Sequence, residues 1–246
     1  MDKENKGKLL SPRLRAIGAM VETGSRLADI GTDHGYLPIQ LLMEGRIPSA
    51  IAMDVRQGPL LRARAHMEKR GLSGRMELRL GDGFSALLPG EADAAVLAGM
   101  GGPLMVRLLA EGREIVDTLQ YVVLSPQSEI PGVRRYLLEN GYRILMEDMV
   151  FDERKYYTVI KAALRMEREP DGEEAWDETE ETYGRYLLRS GNPAVSAFLQ
   201  KEKRTYETIR EELLAAGGER AKERLSQVER ELGILEKASA MAEAAQ

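Results

Sequence analysis

The stretch "RLADIGTDHGYLP", residues 26 to 38, decides how the rest of the chain is read. Its first half is a short apolar run that reads as a strand over 26 to 31. The second half turns through Gly31, Thr32, Asp33, His34 and Gly35 into a helix from about Pro38 to Glu44. Strand, glycine-bearing turn and helix form the opening unit of an α/β sheet, where ligands sit outside the carboxyl ends of the strands. The turn is D-x-G-x-x-x-G, with aspartate at position 33 where the dinucleotide pattern G-x-G-x-x-G has a glycine. Two carboxylates there repel a pyrophosphate and suit an uncharged or cationic guest.

Working outward, "SAIAMDV" (49 to 55), "MELRLGD" (76 to 82), "ADAAVLAG" (92 to 99) and "LQYVVLSP" (119 to 126) read as further strands. Helices are predicted over 13 to 21, 58 to 72, 103 to 112 and 131 to 140. The first has Ser11 as its cap and Pro12 at its first position. Near-continuous apolar strands fit a parallel sheet covered by helices on both faces. The segment 142 to 164 holds two extended runs joined only by "DERK", too short for a parallel crossover, so they pair antiparallel. The fold expected over about 20 to 164 is therefore doubly wound α/β.

The boundaries expected are an α/β domain over 1 to 166, an acidic connector over 167 to 182, and a helical domain over 183 to 246. "EREPDGEEAWDETEE" (167 to 181) has the composition of an exposed connector. Beyond it come a short helix (183 to 192) and two long ones meeting at Gly217-Gly218. Leu225, Val228, Leu232 and Leu235 stand at spacings of three and four, as in a coiled-coil-like helical hairpin. This stripe packs on the partner helix or on the domain; monomer and homodimer are both left open.

The absence of cysteine excludes disulfides and thiolate metal sites. Charges break up the N-terminus where a signal peptide needs an apolar core, and no apolar stretch approaches membrane-spanning length, so a soluble cytoplasmic protein is expected, without membrane contact. The net charge of -5 arises entirely in residues 161 to 246; up to residue 83, basic residues outnumber acidic ones. A basic face near the N-terminus fits within an acidic total.

The strand ends carry the chemistry. Asp29 closes the first strand. Asp54 closes the second, 25 residues on, where an acidic residue grips a ribose diol. Gly31 and Gly35 let the backbone approach the ligand. Asp82, beside Gly83, can accept from an exocyclic amine. Gly99, Met100, Gly101 and Gly102 open space and offer a soft apolar wall. A ribose, an adenine and a positive charge together describe S-adenosylmethionine (SAM). The antiparallel hairpin after the fifth strand is likewise the usual finish of SAM-dependent methyltransferases. His34 reads as a turn residue. With His66 its only fellow histidine, no metal cluster is expected. Asp33 reads equally as a turn or cap former and as a catalytic carboxylate.

"ADIGTDHGYLP", "AIAMDV" with "GPLLRARAHMEKRGL", "LRLGDG" and "VLAGMGG" resemble the signature blocks of the bacterial tRNA (adenine-N1)-methyltransferases that modify adenosine 22, the TrmK family. The likeness runs in order from about residue 9 to 164, and the family's coiled-coil-like C-terminal domain resembles residues 183 to 243. The resemblance implies a Rossmann-like class I SAM-dependent methyltransferase domain with a C-terminal helical hairpin. It also implies that Asp29, Gly31, Thr32, His34, Gly35, Asp54, Val55, Asp82, Gly83 and the loop Gly99 to Gly102 bind SAM. Asp33 would match the family's catalytic aspartate, with Tyr36 shaping the same turn.

The family's "LQPN" is "LSPQ" here. Pro126 is retained and Gln127 replaces asparagine with a longer amide, both expected beside the target base. A cationic track for tRNA would use Lys8, Arg13, Arg15, Arg56 and Arg62. Lys201, Lys203 and Arg204 could extend it, the tail then clamping RNA; a dimerising hairpin is the competing account. Other functions consistent with the same residues are a SAM enzyme acting on another RNA, a protein or a small molecule, and a non-catalytic SAM- or RNA-binding adaptor. A nicotinamide dehydrogenase ranks last, because the turn is wrong for phosphate.

Overall fold

A computed structural model describes residues 10 to 164 and 175 to 245. It divides into two compact units, Met1–Glu169 and Pro170–Gln246.

The first unit is a seven-stranded sheet in the order β3-β2-β1-β4-β5-β7-β6. The strands are β1 (Leu27–Ile30), β2 (Ala50–Asp54), β3 (Met76–Leu80), β4 (Ala94–Ala98), β5 (Tyr121–Ser125), β6 (Tyr142–Asp152) and β7 (Lys155–Leu164). Strands β1 to β5 run parallel, and β7 lies antiparallel between β5 and β6. The chain reverses its winding between β1 and β4, where Asp29 pairs in register with Ala52 on one side and Val96 on the other. Every residue of β1 and β5 is buried, as continuous apolar runs in a doubly covered sheet require.

The helices are α1 (Pro12–Ala19), α2 (Tyr36–Met43), α3 (Gln57–Glu68), α4 (Gly102–Glu111), α5 (Arg113–Val116) and α6 (Ile130–Glu139). Ser11 caps α1 by accepting from Leu14 N–H at 3.3 Å. Helix α3 stops short of the predicted residue 72, because Gly71, at φ 68°, donates back to Glu68 O and ends it. Helix α2 starts two residues before Pro38, which sits in the first turn where a backbone N–H has no intrahelical partner. Between α6 and β6, Arg134 and Glu147 form a buried ion pair at 2.7 Å, each neutralising a charge that would otherwise be costly inside.

The hairpin differs from its prediction. Its strands run to Asp152 and from Lys155, leaving only Glu153 and Arg154 in the turn. Both have positive φ, 45° and 64°, a two-residue turn geometry that ordinarily selects Asn or Gly.

The second unit holds α7 (Glu178–Tyr183), α8 (Arg185–Leu188), α9 (Pro193–Ala216) and α10 (Glu219–Ala244). Gly217 and Gly218, at φ 63° and 89°, turn the chain between the long helices. Val228, Leu232, Leu235, Ala238 and Ala242 form the buried face of α10, which packs on α9 and on α7 and α8. The acidic composition of 175 to 182 suggested a solvated connector, yet α7 occupies most of it. Asp177 and Glu180 form a capping box, and the buried Glu180 pairs with Arg185 at 2.6 Å and Arg189 at 2.9 Å. Internal ion pairing thus orders what composition alone marks as exposed. Residues 167 to 174 of the expected connector lie outside the described residues.

Candidate active site

The carboxyl ends of β1, β2 and β4 open into a cleft of about 580 Å³. A smaller recess of about 240 Å³ adjoins it, sharing Gly31, Asp54, Arg56, Ala98 and Gly99.

Asp29 forms the floor. It is buried, and burial pushes its carboxyl up to about 6, the charge of Asp54 adding to the effect. A buried carboxylate held this way gains from a cationic guest. Gly31, at φ 76°, holds a backbone conformation that favours glycine, and a Cβ there would press on Met100 Cε at 2.9 Å. Asp54 ends β2, and its Oδ1 accepts from Arg56 N–H at 2.7 Å. The recess beyond is walled by Val55, Met100, Leu104 and Leu108, with Asp82 and Gly83 at its edge. Val55 is 62% exposed, an apolar face open to a flat ring. The expected partners of a nucleoside sulfonium thus line adjoining spaces: a buried acid, a strand-end acid for a diol, and an apolar slot with an acid at its rim.

The loop after β5 is tied to the loop after β4. Gln127 N–H donates to Met100 O and Gly102 N–H to Ser128 O, both at 3.0 Å. A Cβ on Gly102 would lie 2.5 Å from Ser128 O, so this junction admits only glycine. The tie brings Gln127 to the cleft that Asp33 and His34 of the β1 turn also line.

Asp33 is 76% exposed at the side chain, on the cleft wall, with Oδ1 3.3 Å from His34 Nε2 and 3.5 Å from Arg62 Nη2. The cap of α2 is Gly35, at φ 66°, with no side-chain hydrogen bond, so Asp33 is not spent on capping. His34 also has positive φ, 61°. Its Nε2 accepts from Arg62 Nε at 3.1 Å, and its ring stacks with Tyr36, centroids 5.1 Å apart.

Several expected residues face elsewhere. Thr32 is buried, its N–H donating to Met53 O at 2.8 Å, so it holds the turn to β2 and does not line the cleft. Gly35 is a packing position, where a Cβ would meet Met76 Cε at 2.9 Å. Pro126, Gly101 and Gly102 support the loops without lining either space. Arg15 turns back to donate to Leu10 O at 2.6 Å, bracing the start of α1 where the sequence suggested an RNA contact. Lys8 lies outside the described residues.

The structure adds residues with no sequence signal. Leu14 on α1, and Asp152, Glu153 and Tyr157 of the hairpin, line the far side of the cleft. Arg107 on α4 stands 3.3 Å from Asp82. Only the position of α1 against β6 and β7 brings the first set to the site; the Ser11 cap and Pro12 that placed Leu14 on a helix said nothing about what it faces. Among the described residues, no group of three or more His, Asp or Glu is arranged to hold a metal.

The order of strands, the reversed β7 and the paired spaces at the strand ends define a Rossmann-like methyltransferase fold. A family model described as "Methyltransferase domain" matches residues 10 to 160. The chain is 32% identical over 194 residues to the tRNA (adenine(22)-N(1))-methyltransferase of Bacillus subtilis (strain 168), covering 79% of this chain and 76% of that protein. Among solved structures, B. subtilis M1A22 tRNA methyltransferase TrmK superposes with a TM-score of 0.80 at 28% identity, covering 94% and 98% of the two chains. Streptococcus pneumoniae Sp1610 in complex with S-adenosyl-L-methionine superposes at 0.80 with 27% identity, covering 94% and 99%. The chain therefore belongs to the methyltransferase domain family and, within it, to the tRNA (adenine(22)-N1)-methyltransferases.

Proposed function

We propose that this chain transfers a methyl group from SAM to N1 of adenosine 22 in tRNA. One observation carries the reading beyond family membership. An exposed, uncapped carboxylate, Asp33, and an amide, Gln127, line the same cleft whose floor is the buried Asp29.

When bound, SAM supplies an electrophilic methyl group whose bond to the sulfonium breaks as adenine N1 bonds to it, with S-adenosylhomocysteine as the leaving group. Asp29 would hold the positive end of that ligand, Asp54 its ribose diol and Asp82 the exocyclic amine of its base, with Val55 as an apolar contact for the ring. Asp33 accepts from N6–H of the target adenine, favours the charge that develops as N1 is alkylated, and takes the proton if N6 releases one. Gln127 holds the edge of the base, and Tyr36 supports the same wall. Adenine N1 is paired in a duplex, so the nucleotide enters unpaired or flipped. Arg56 and Arg62, 77% and 48% exposed at the side chain, lie beside the opening for backbone phosphates. No helix among the described residues is long and apolar enough to cross a membrane; acting on tRNA fits a cytoplasmic enzyme.

The deciding experiment incubates the full chain with labelled SAM and unmodified tRNA and maps the product base. Label at N1 of adenosine 22 is expected. Label on another base, or on a protein or small molecule only, would overturn the substrate assignment.

A further inference from the structure

The hairpin of β6 and β7 reaches past the sheet that anchors it. Strand β7 pairs with β5 only through Ile160, Lys161 and Ala162, so everything outward of Met149 and Thr158 overhangs the carboxyl end of β5. That is the end at which the cleft opens. Alternation along the strands gives the overhang two faces. Asp152 and Tyr157 lie on one and line the cleft. Glu147, Met149 and Phe151 lie on the other. Glu147 and Met149 are buried, Glu147 against Arg134 of α6, but Phe151 stands beyond that cover and is 51% exposed. Across the strands it pairs with Tyr156, ring centroids 4.8 Å apart.

The surroundings narrow the guest. An exposed phenylalanine leaves apolar ring surface in water that a second planar face would cover. Glu153, Arg154 and Lys155 are all exposed beside it, and among the described residues neither Arg154 nor Lys155 has an ion-pair partner. The turn holds Glu153 and Arg154 at φ 45° and 64°, so charged side chains occupy backbone positions that Asn and Gly fill at lower cost. A ring pair bounded by charged residues is too confined for the broad contact of a protein partner. One nucleobase on the ring, with its phosphates at the free cations, fits both features, as in recognition of unpaired RNA.

We propose that the hairpin tip is a stacking platform for an unpaired nucleotide of the tRNA next to the target adenosine. Phe151 supplies the stacking face, Tyr156 positions it, and Arg154 and Lys155 meet the phosphates. This rests on the reading of the cleft as a site for a flipped tRNA base, since flipping also unstacks the neighbours of that base. It gives the hairpin two working faces, one at the target and one for the nucleotide beside it.

The test uses the full chain with Phe151→Ala, Phe151→Tyr and the double variant Arg154→Gln with Lys155→Gln, each checked by thermal melting and sedimentation. Calorimetry gives SAM affinity, filter binding gives tRNA affinity across salt concentrations, and kinetics gives KM for tRNA at saturating SAM. A fluorescent purine analogue at either neighbour of the target reports stacking by loss of emission. Phe151→Ala should raise KM and Kd for tRNA by about tenfold, the scale of one lost stack, and restore emission that wild type quenches at one neighbour. Phe151→Tyr should keep most of both. The double variant should flatten the salt dependence of tRNA binding by about one to two counterions. SAM affinity should stay within about twofold in all three, since none touches the acids of the floor. Wild-type tRNA affinity and KM in folded Phe151→Ala overturn the platform; should that variant not fold, wild-type values and salt dependence in the double variant do so. A shift in oligomeric state with unaltered tRNA kinetics would also overturn it, making the patch a contact between copies. Wild-type protein inactive on tRNA would sink the functional reading instead, while tRNA binding would still read the hairpin.

Discussion

Two sides of one cleft are built on different terms. The floor comes from strand ends: Asp29 and Asp54 are each 7% exposed, locked by parallel neighbours and backbone hydrogen bonds. The opposite wall comes from a turn, a helix and a hairpin tip. Asp33 stands mostly in solvent there, and Glu153 and Arg154 sit in a backbone region that costs non-glycine residues free energy. A rigid floor suits a small ligand of constant shape. An open wall suits a substrate that must be brought in from a large folded RNA.

That contrast breaks most sharply at Asp33. Asp33→Ala should lower kcat by roughly a hundredfold to ten-thousandfold, the range for losing a positioned acid or base, while SAM affinity stays within about twofold. Loss of SAM binding with normal turnover per bound SAM would move Asp33 to the cofactor side. Asp29 gives the next largest effect, and its sign follows from linkage. Burial pushes its native carboxyl from the usual range of about 4 up to about 6, so the native state holds the proton more tightly than the unfolded one. Stability is therefore lost as pH rises through that window, reaching on the order of 3 kcal/mol above it. In ligand-free protein, Asp29→Asn should raise Tm by several degrees at pH 7 and leave it unchanged below about pH 4, while weakening SAM. A variant no more stable at pH 7 than at pH 4, relative to wild type, would refute the buried-charge account of the floor.

Asp54→Ala should weaken SAM by about tenfold through the lost diol contacts and leave tRNA binding alone, as calorimetry and filter binding would report. Equal losses for both ligands would erase the distinction between the two sides. The smallest effect belongs to the hairpin. Glu153→Asn with Arg154→Gly should stabilise the protein by about 1 kcal/mol in urea denaturation by relieving two positive φ angles. If kcat/KM for tRNA is also unchanged, the strained turn has no part in the wall.

How much of this was legible follows the same divide. The floor could be read from the chain because each of its acids directly follows an apolar strand, and strand ends in a parallel sheet converge by construction. Asp54 and Asp82 needed only their place in that rhythm. Asp33 could not be separated from a helix cap until Gly35 was found in the capping position. Arg13 and Arg15 look alike on paper, two basic residues of a short helix; one enters the cleft and the other braces Leu10 O. Tyr157 and Asp152 gave no signal, because a hairpin pattern says which residues pair and not what the hairpin tip approaches. Helix α7 was missed for a related reason, its acidic run being neutralised by arginines later in the chain.

Sequence alone determined the alternation of strands and helices, the reversed final hairpin, the strand-end acids and the family likeness, since all of these rest on local periodicity and on spacing along the chain. Tertiary structure decided what meets around the cleft: Arg13 with the Tyr157 ring, the backbone of Gln127 with that of Met100, and Asp33 released from capping. Those pairings depend on contacts between segments far apart in the chain, whose directions are set only when helices and hairpin pack on the finished sheet.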